Sequence, residues 1–272
     1  MRESQKDWMK NRKSVRTFDG RALASEDRQF IEERIASLRN PFDVPVTLRL
    51  LNAKEYGLSS PVIVGAEEYL AGKVERVPNY EIAFGYTFEK ACLYAFSRGI
   101  GTVMLAASLS RSAFEKAMEV QQNEVLPVAS PVGYPAEKRS VRERLMRKGL
   151  RADDRKPFEK LFFRGTFENG LGREDAGILA DALEAVRWAP SAGNGQPWRV
   201  VLEENQAHFY EAKTLKDNPL GDIQKVDVGI ALAHFDLVME EDGMQGAFAF
   251  VDPGIAAPEN THYIVTYRWG WR

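Results

Sequence analysis

Trp188-Ala189-Pro190-Ser191-Ala192-Gly193-Asn194-Gly195-Gln196-Pro197-Trp198 closes one amphipathic helix and opens one strand, and its reading decides the fold. Before it, Ala180, Leu183, Val186 and Arg187 follow the three- and four-residue spacing of a helix, and Pro190 drives the preceding residue out of helical geometry. After it, Trp198, Val200 and Leu202 alternate with Arg199, Val201 and Glu203, the period of a half-buried strand. Between the two, Gly193 and Gly195 permit positive φ and close approach of a ligand, while Ser191, Asn194 and Gln196 offer hydroxyl and amide groups of both polarities. Such a turn suits a planar ligand edged with heteroatoms. It equally suits a capped connection whose Ser and Asn satisfy only local backbone groups.

The surrounding chain bounds the choice. Its 272 residues, 44% hydrophobic and 28% charged, suffice for one large core or two modest ones, and the net charge of -2 gives no overall attraction to polyanions. A single cysteine, Cys92, sits in an apolar helical run and reads as packing. No signal peptide or bilayer-length apolar run is visible, so the expectation is a cytoplasmic protein without membrane contact. His208, His234 and His262 lie in separate elements at no metal or triad spacing, which argues against metal catalysis and Ser-His-Asp hydrolysis.

Working outward, Arg12, Lys13, Ser14 and Arg16 place three cations and a hydroxyl within five residues, a spacing that can converge on a phosphate or form a solvated basic face. A helix is expected over 25–38 with Ser25 as its cap, a strand over 46–51 and a second buried strand over 61–66. A long helix over 79–97 ends at Arg98-Gly99, an extended segment follows to Leu105, Ser110 caps a helix to Val120, and 125–134 reads as one strand. Residues 138–156 are strongly basic but lack interleaved aromatics, so a solvated helix is favoured over a nucleic-acid surface. The aromatics from Phe158 to Phe163 read as anchors on a core, and Arg268, Trp269 and Trp271 as a packed final strand or a substrate mouth.

These stretches carry a resemblance. A-P-S-A-G-N-x-Q-P-W at 189–198 resembles the signature loop of the flavin-dependent nitroreductase family, R-K-S-V-R-x-F at 12–18 resembles its opening motif, and G-Y-P-A-E-K-R at 133–139 its phosphate-side segment. The resemblance implies an α+β, nitroreductase-like fold and an FMN cofactor. It implies Pro190, Ser191, Ala192, Asn194 and Gln196 at the flavin ring, Arg12, Lys13, Ser14 and Arg16 at its phosphate and ring, and Arg139 and Arg142 as further phosphate contacts. Leu105, Ala106 and Ala107 would bring backbone donors near N5, and no side chain would serve as a catalytic acid or base.

The chain also repeats itself. Gly85 to Gly99 and Gly229 to Gly243 have equal lengths, each an apolar helix leading into an extended segment, and helix 25–38 with strand 46–51 matches helix 175–187 with strand 198–202. The halves run from 1–137 and 173–272 around a basic linker at 138–172. The first keeps the basic motif and has Pro41-Phe42-Asp43-Val44-Pro45 in place of the polar loop, and the second does the reverse. By the resemblance, two related halves form a pseudo-twofold fused dimer, a monomer that keeps one of two flavin sites. The expected activity is hydride transfer from NADH or NADPH to a nitro-compound, quinone or similar small acceptor, with no nucleic-acid or membrane partner. The alternatives are a flavin-binding protein without turnover, for storage or sensing, and a nucleic-acid-associated protein using 138–156.

Overall fold

In the computed structural model, residues 4–270 are described and the chain divides into two units, Asn11–Asp153 and a second made of Met1–Lys10 with Asp154–Arg272. The elements of the first part of the chain are α1 (Gln5–Asn11), α2 (Ser25–Ser37), β1 (Val46–Asn52), α3 (Ala53–Tyr56), β2 (Glu68–Glu75), α4 (Tyr80–Phe96) and β3 (Gly101–Thr102). There follow α5 (Arg111–Ala117), β4 (Glu124–Val125), β5 (Ala129–Gly133) and α6 (Val141–Gly149). The remainder is β6 (Phe162–Arg164), α7 (Ala180–Trp188), β7 (Trp198–Glu203), β8 (Gln206–Ala212), α8 (Ile223–Glu241), β9 (Gln245–Ala249) and β10 (Thr261–Gly270).

The first unit is built on α4. Twelve of its residues, from Ile82 to Ala95, are buried, so the helix is apolar nearly all round and lies within the unit rather than on it. Gly99, at φ 73°, ends it in the left-handed conformation that glycine adopts without penalty. The sheet runs β1-β2-β5-β3, all antiparallel, with β4 on β2.

The second unit repeats that order. Its sheet runs β7-β8-β10-β9, again antiparallel, with β6 added in parallel to β7. The buried α8 joins β8 to β9 as α4 joins β2 to β3, and Gly243 at φ 74° ends it. Each unit thus mixes helix and sheet in one shared sequence of elements. Phe158 and Phe162, with ring centroids 4.4 Å apart, fix the chain entering β6, as anchoring aromatics should. At the start of this unit, α1 is tied to its far end: Glu241 accepts from Gln5 N and Lys6 N, and Lys6 pairs with Asp181 and Asp242.

Several expectations are corrected. Residues 61–66 form a turn and one isolated bridge from Val64 to Thr17 rather than a buried strand, with Val64 50% exposed; the strand beside β1 is β2, whose Glu68 and Lys73 interrupt the apolar run and are paired with Arg28 and Glu124. The segment 125–134 is two strands, because Pro127 has no N–H for a ladder. Ala24, not Ser25, occupies the cap of α2, and the Ser110 hydroxyl accepts from Ser59 N instead of its own helix. The helix expected from 175 begins as a tight 3-10 turn, broken at Gly177 with φ 56°, before α7. The boundary between units falls inside the basic stretch, leaving Arg155 and Lys156 with the second unit. Among the described residues no helix is long and apolar enough to cross a membrane, and no cluster of His, Cys, Asp and Glu could hold a metal. Trp271 lies outside the described residues.

Candidate flavin site

In the second unit, α7 ends at Ala189, whose φ of -53° and ψ of 140° show the extended geometry Pro190 demands. The loop that follows is wound tightly: Gly193, Asn194 and Gln196 take φ of 58°, 58° and 49°, two of them side chains in a region L-residues seldom enter. Such strain persists where surrounding contacts over-determine it. Here the contacts are many. Ala192 N donates to both carboxylate oxygens of Asp227 on α8, at 3.1 and 3.0 Å, and the Ser191 hydroxyl accepts from Gln196 N at 2.9 Å. Asn194 Nδ2 donates to the Asp154 carbonyl at 3.1 Å.

Gln196 is the internal brace. It is 3% exposed, its Oε1 accepts from Lys156 N at 2.9 Å and its Nε2 reaches the carbonyls of Asn194 and Asp154. Its amide is therefore spent on the chain. Pro190, Ser191, Ala192 and Asn194 remain half-buried, with Gly193 exposed between them.

Beneath the loop lies a buried acidic group absent from the sequence reading. Burial pushes the Asp227 carboxyl well above its ordinary value, with Asp222 and Glu211 adding repulsion. Glu211, at the end of β8, is fully buried with no donor on either oxygen, and burial beside Asp222 raises it to about 7. Asp222 caps α8 through Gln224 N and Lys225 N and pairs with Lys213 at 2.6 Å. The sequence signal for Asp227 was an acid set between Val226 and Val228 at the start of the apolar run of α8.

In the first unit, the basic motif divides. Lys13 is exposed; Ser14 is half-buried and forms a bridge with Thr102. The Arg12 side chain is 9% exposed and lies 3.5 Å from the fully buried Glu89 of α4. Arg16 is 9% exposed, and its Nε is buried without a hydrogen-bond partner. Burial lowers its pKa, Glu143 opposes that shift and Arg147 adds to it. Glu143 is itself anchored by Thr17 Oγ1 at 2.8 Å and Arg16 N at 3.3 Å. Of the basic residues after Gly133, Arg139 is half exposed against Glu143, and Arg142, exposed, donates to the Pro61 carbonyl. The buried cation is Arg147, paired with Asp153 at 2.6 Å, which sequence reasoning passed over because charge alone cannot tell which face of α6 turns inward.

Leu105 is buried and exchanges both backbone bonds with Ala129, while Ala106 and Ala107 form a bend held by Arg111 on the Ala106 carbonyl. The three histidines are structural or exposed: His208 meets Thr266 and Glu203, His234 the Ala185 carbonyl, and His262 faces solvent.

Taken each by itself, the buried guanidinium with an unpartnered Nε in the first unit has donor chemistry that suits a phosphate, and the strained loop of the second unit, with its hydroxyl and amide groups, suits the edge of a heteroatom-bearing ring such as that of FMN. The architecture is nitroreductase-like: a solved nitroreductase from Thermotoga maritima, 19% identical, aligns over 99% of this chain and 94% of its own with a TM-score of 0.64. Residues 5–239 match the TM nitroreductase family model, and the chain belongs to that family. Weaker likenesses include an FMN-dependent nitroreductase from Clostridium difficile R20291, 11% identical over 49% of this chain and 88% of that one, TM-score 0.41. Another is an iodotyrosine deiodinase bound to FMN and 3-iodo-L-tyrosine, 17% identical over 50% and 92%, TM-score 0.40. No curated protein matches the chain.

Proposed function

We propose that the protein is an FMN-dependent oxidoreductase that takes hydride from NADH or NADPH and delivers it to a nitro-compound, quinone or similar small acceptor. The observation that carries this reading is Arg16, a nine-tenths-buried cation whose Nε has no partner, inside the family's opening motif. A buried donor is seldom left without an acceptor, and the Glu143 carboxylate that opposes the shift of Arg16 does not bond that Nε. When bound, FMN supplies the two-electron carrier. The chain's own residues bind and orient. Arg16, with Arg12 and Ser14, grips phosphate, and Lys13 or Arg16 offers positive charge to the reduced ring. Ser191 and Asn194 offer a hydroxyl and an amide to the ring edge, and Asp227 holds their backbone still by clamping Ala192 N–H.

Titration of apoprotein with FMN tests this directly: we expect saturation at one equivalent. Arg16→Ala should weaken binding by about 1.5–3 kcal/mol, roughly tenfold to a hundredfold, as loss of a charge-assisted contact. Asn194→Ala should instead shift the flavin absorbance and slow NADH turnover with most affinity kept. If neither variant changes affinity, spectrum or turnover, the flavoenzyme reading fails; flavin bound without NADH oxidation would favour the storage or sensing role.

A further inference from the structure

Two cations meet at the flank of the loop with no anion between them. Lys156 Nζ donates to the carbonyls of Gly195 at 2.6 Å and Gln196 at 3.3 Å. Arg199, one residue into β7, sends Nη1 to the same Gln196 oxygen at 3.1 Å and to the Trp198 carbonyl at 2.6 Å. One neutral oxygen thus receives both positive charges. Neither residue forms an ion pair among the described residues, although Asp154 lies two residues from Lys156 and Glu211 stands across the strand pair from Trp198. Burial lowers both pKa values, and Arg199 lowers that of Lys156 further.

The arrangement is also rigid. Lys156 N–H is held by Gln196 Oε1 and Lys156 C=O by Arg187 Nε at 2.9 Å, so backbone and ammonium are fixed together. Like charges held near each other in partial burial are costly unless a ligand of opposite sign joins them. Fixing them beforehand removes the ordering cost from binding. The ammonium and the guanidinium fork both keep N–H groups beyond those spent on the loop.

We propose that Lys156 and Arg199 form an anion site for a phosphomonoester, and that the ester bound there is the 2′-phosphate of NADPH. Two cations match a group carrying about -1.5 to -2 at neutral pH better than they match a carboxylate. The identity of the nucleotide rests on the oxidoreductase reading; the anion site does not.

The test is calorimetric titration of the wild type, Lys156→Met and Arg199→Gln with adenosine 2′-monophosphate, alongside KM for NADPH and NADH on FMN-loaded protein. The wild type should bind the monophosphate, either variant should bind at least tenfold more weakly, and KM should rise for NADPH alone. Lys156→Arg and Arg199→Lys, which keep charge, should restore part of the binding and guard against loss of folding. No binding by the wild type, or equal binding by all, overturns the site. A parallel rise in both KM values overturns the 2′-phosphate assignment, and so does a loss of FMN affinity in these variants, which would place the flavin's own phosphate there. Failure of protein that binds the monophosphate to take up added FMN would sink the oxidoreductase reading and leave the anion site standing.

Discussion

Glu211 shows how one buried carboxyl sets the response of the second unit to pH. Its ordinary value of 4.5 is raised to about 7, so between those two values the unfolded chain is ionised while the folded chain keeps its proton. The folded state then binds more protons, and stability falls as pH rises through that window. Below it the group is neutral in both states and costs nothing in charge. Glu211→Gln should therefore match the wild type near pH 4 and exceed it at pH 8, by about 2 kcal/mol, as read from urea denaturation at the two pH values. A variant less stable at pH 8 would show that Glu211 is ionised and paired in the fold. At this same scale the sequence was least legible. Gln196 and Asn194 were visible as polar groups, but nothing in their spacing said that one amide would be consumed by Lys156 N and the Asn194 and Asp154 carbonyls. Arg147, Asp227 and Glu211 owe their importance to burial, which residue type and spacing alone do not reveal.

Among elements, the helices were readable because their signals are local. Periodicity and a terminal glycine located α4, and the matching interval from Gly229 to Gly243 located α8. β2 was missed for a converse reason: two charges interrupt it, and only cross-strand and helix partners neutralise them. The strand β9 offers a test of how tightly the sheet is closed. A Cβ on Gly246 would run into the Tyr267 ring and the Arg268 carbonyl of β10, the strand it pairs with. The ring can shift; the carbonyl cannot without breaking the ladder. Gly246→Ala should cost about 1–3 kcal/mol, seen as a lowered melting temperature with amide exchange quickened first in β9 and β10. Unchanged melting would mean that the strand bends away freely.

For the whole molecule, the strand orders β1-β2-β5-β3 and β7-β8-β10-β9 are alike, and each unit holds one long buried helix, α4 or α8. If the two units are copies of one that elsewhere pairs with itself, as the resemblance implies, the chain should be monomeric, and light scattering at micromolar protein should give one chain's mass of 30.7 kDa. A stable dimer would remove the fused-dimer reading. The attachment of α1 has a consequence for the order of synthesis. Gln5 and Lys6 emerge from the ribosome ahead of the entire Asn11–Asp153 unit, yet Asp181, Glu241 and Asp242, which hold them, are made only after that unit. At about 5–20 residues per second, the opening helix waits many seconds for its partners. The first unit can fold during that interval; the second cannot be completed until Glu241 and Asp242 have been made. Chains halted around residue 200, far enough on for Asp153 to have left the ribosome, should protect the first unit from protease while α1 stays cleavable, and protection of α1 should appear only after α8 has been released.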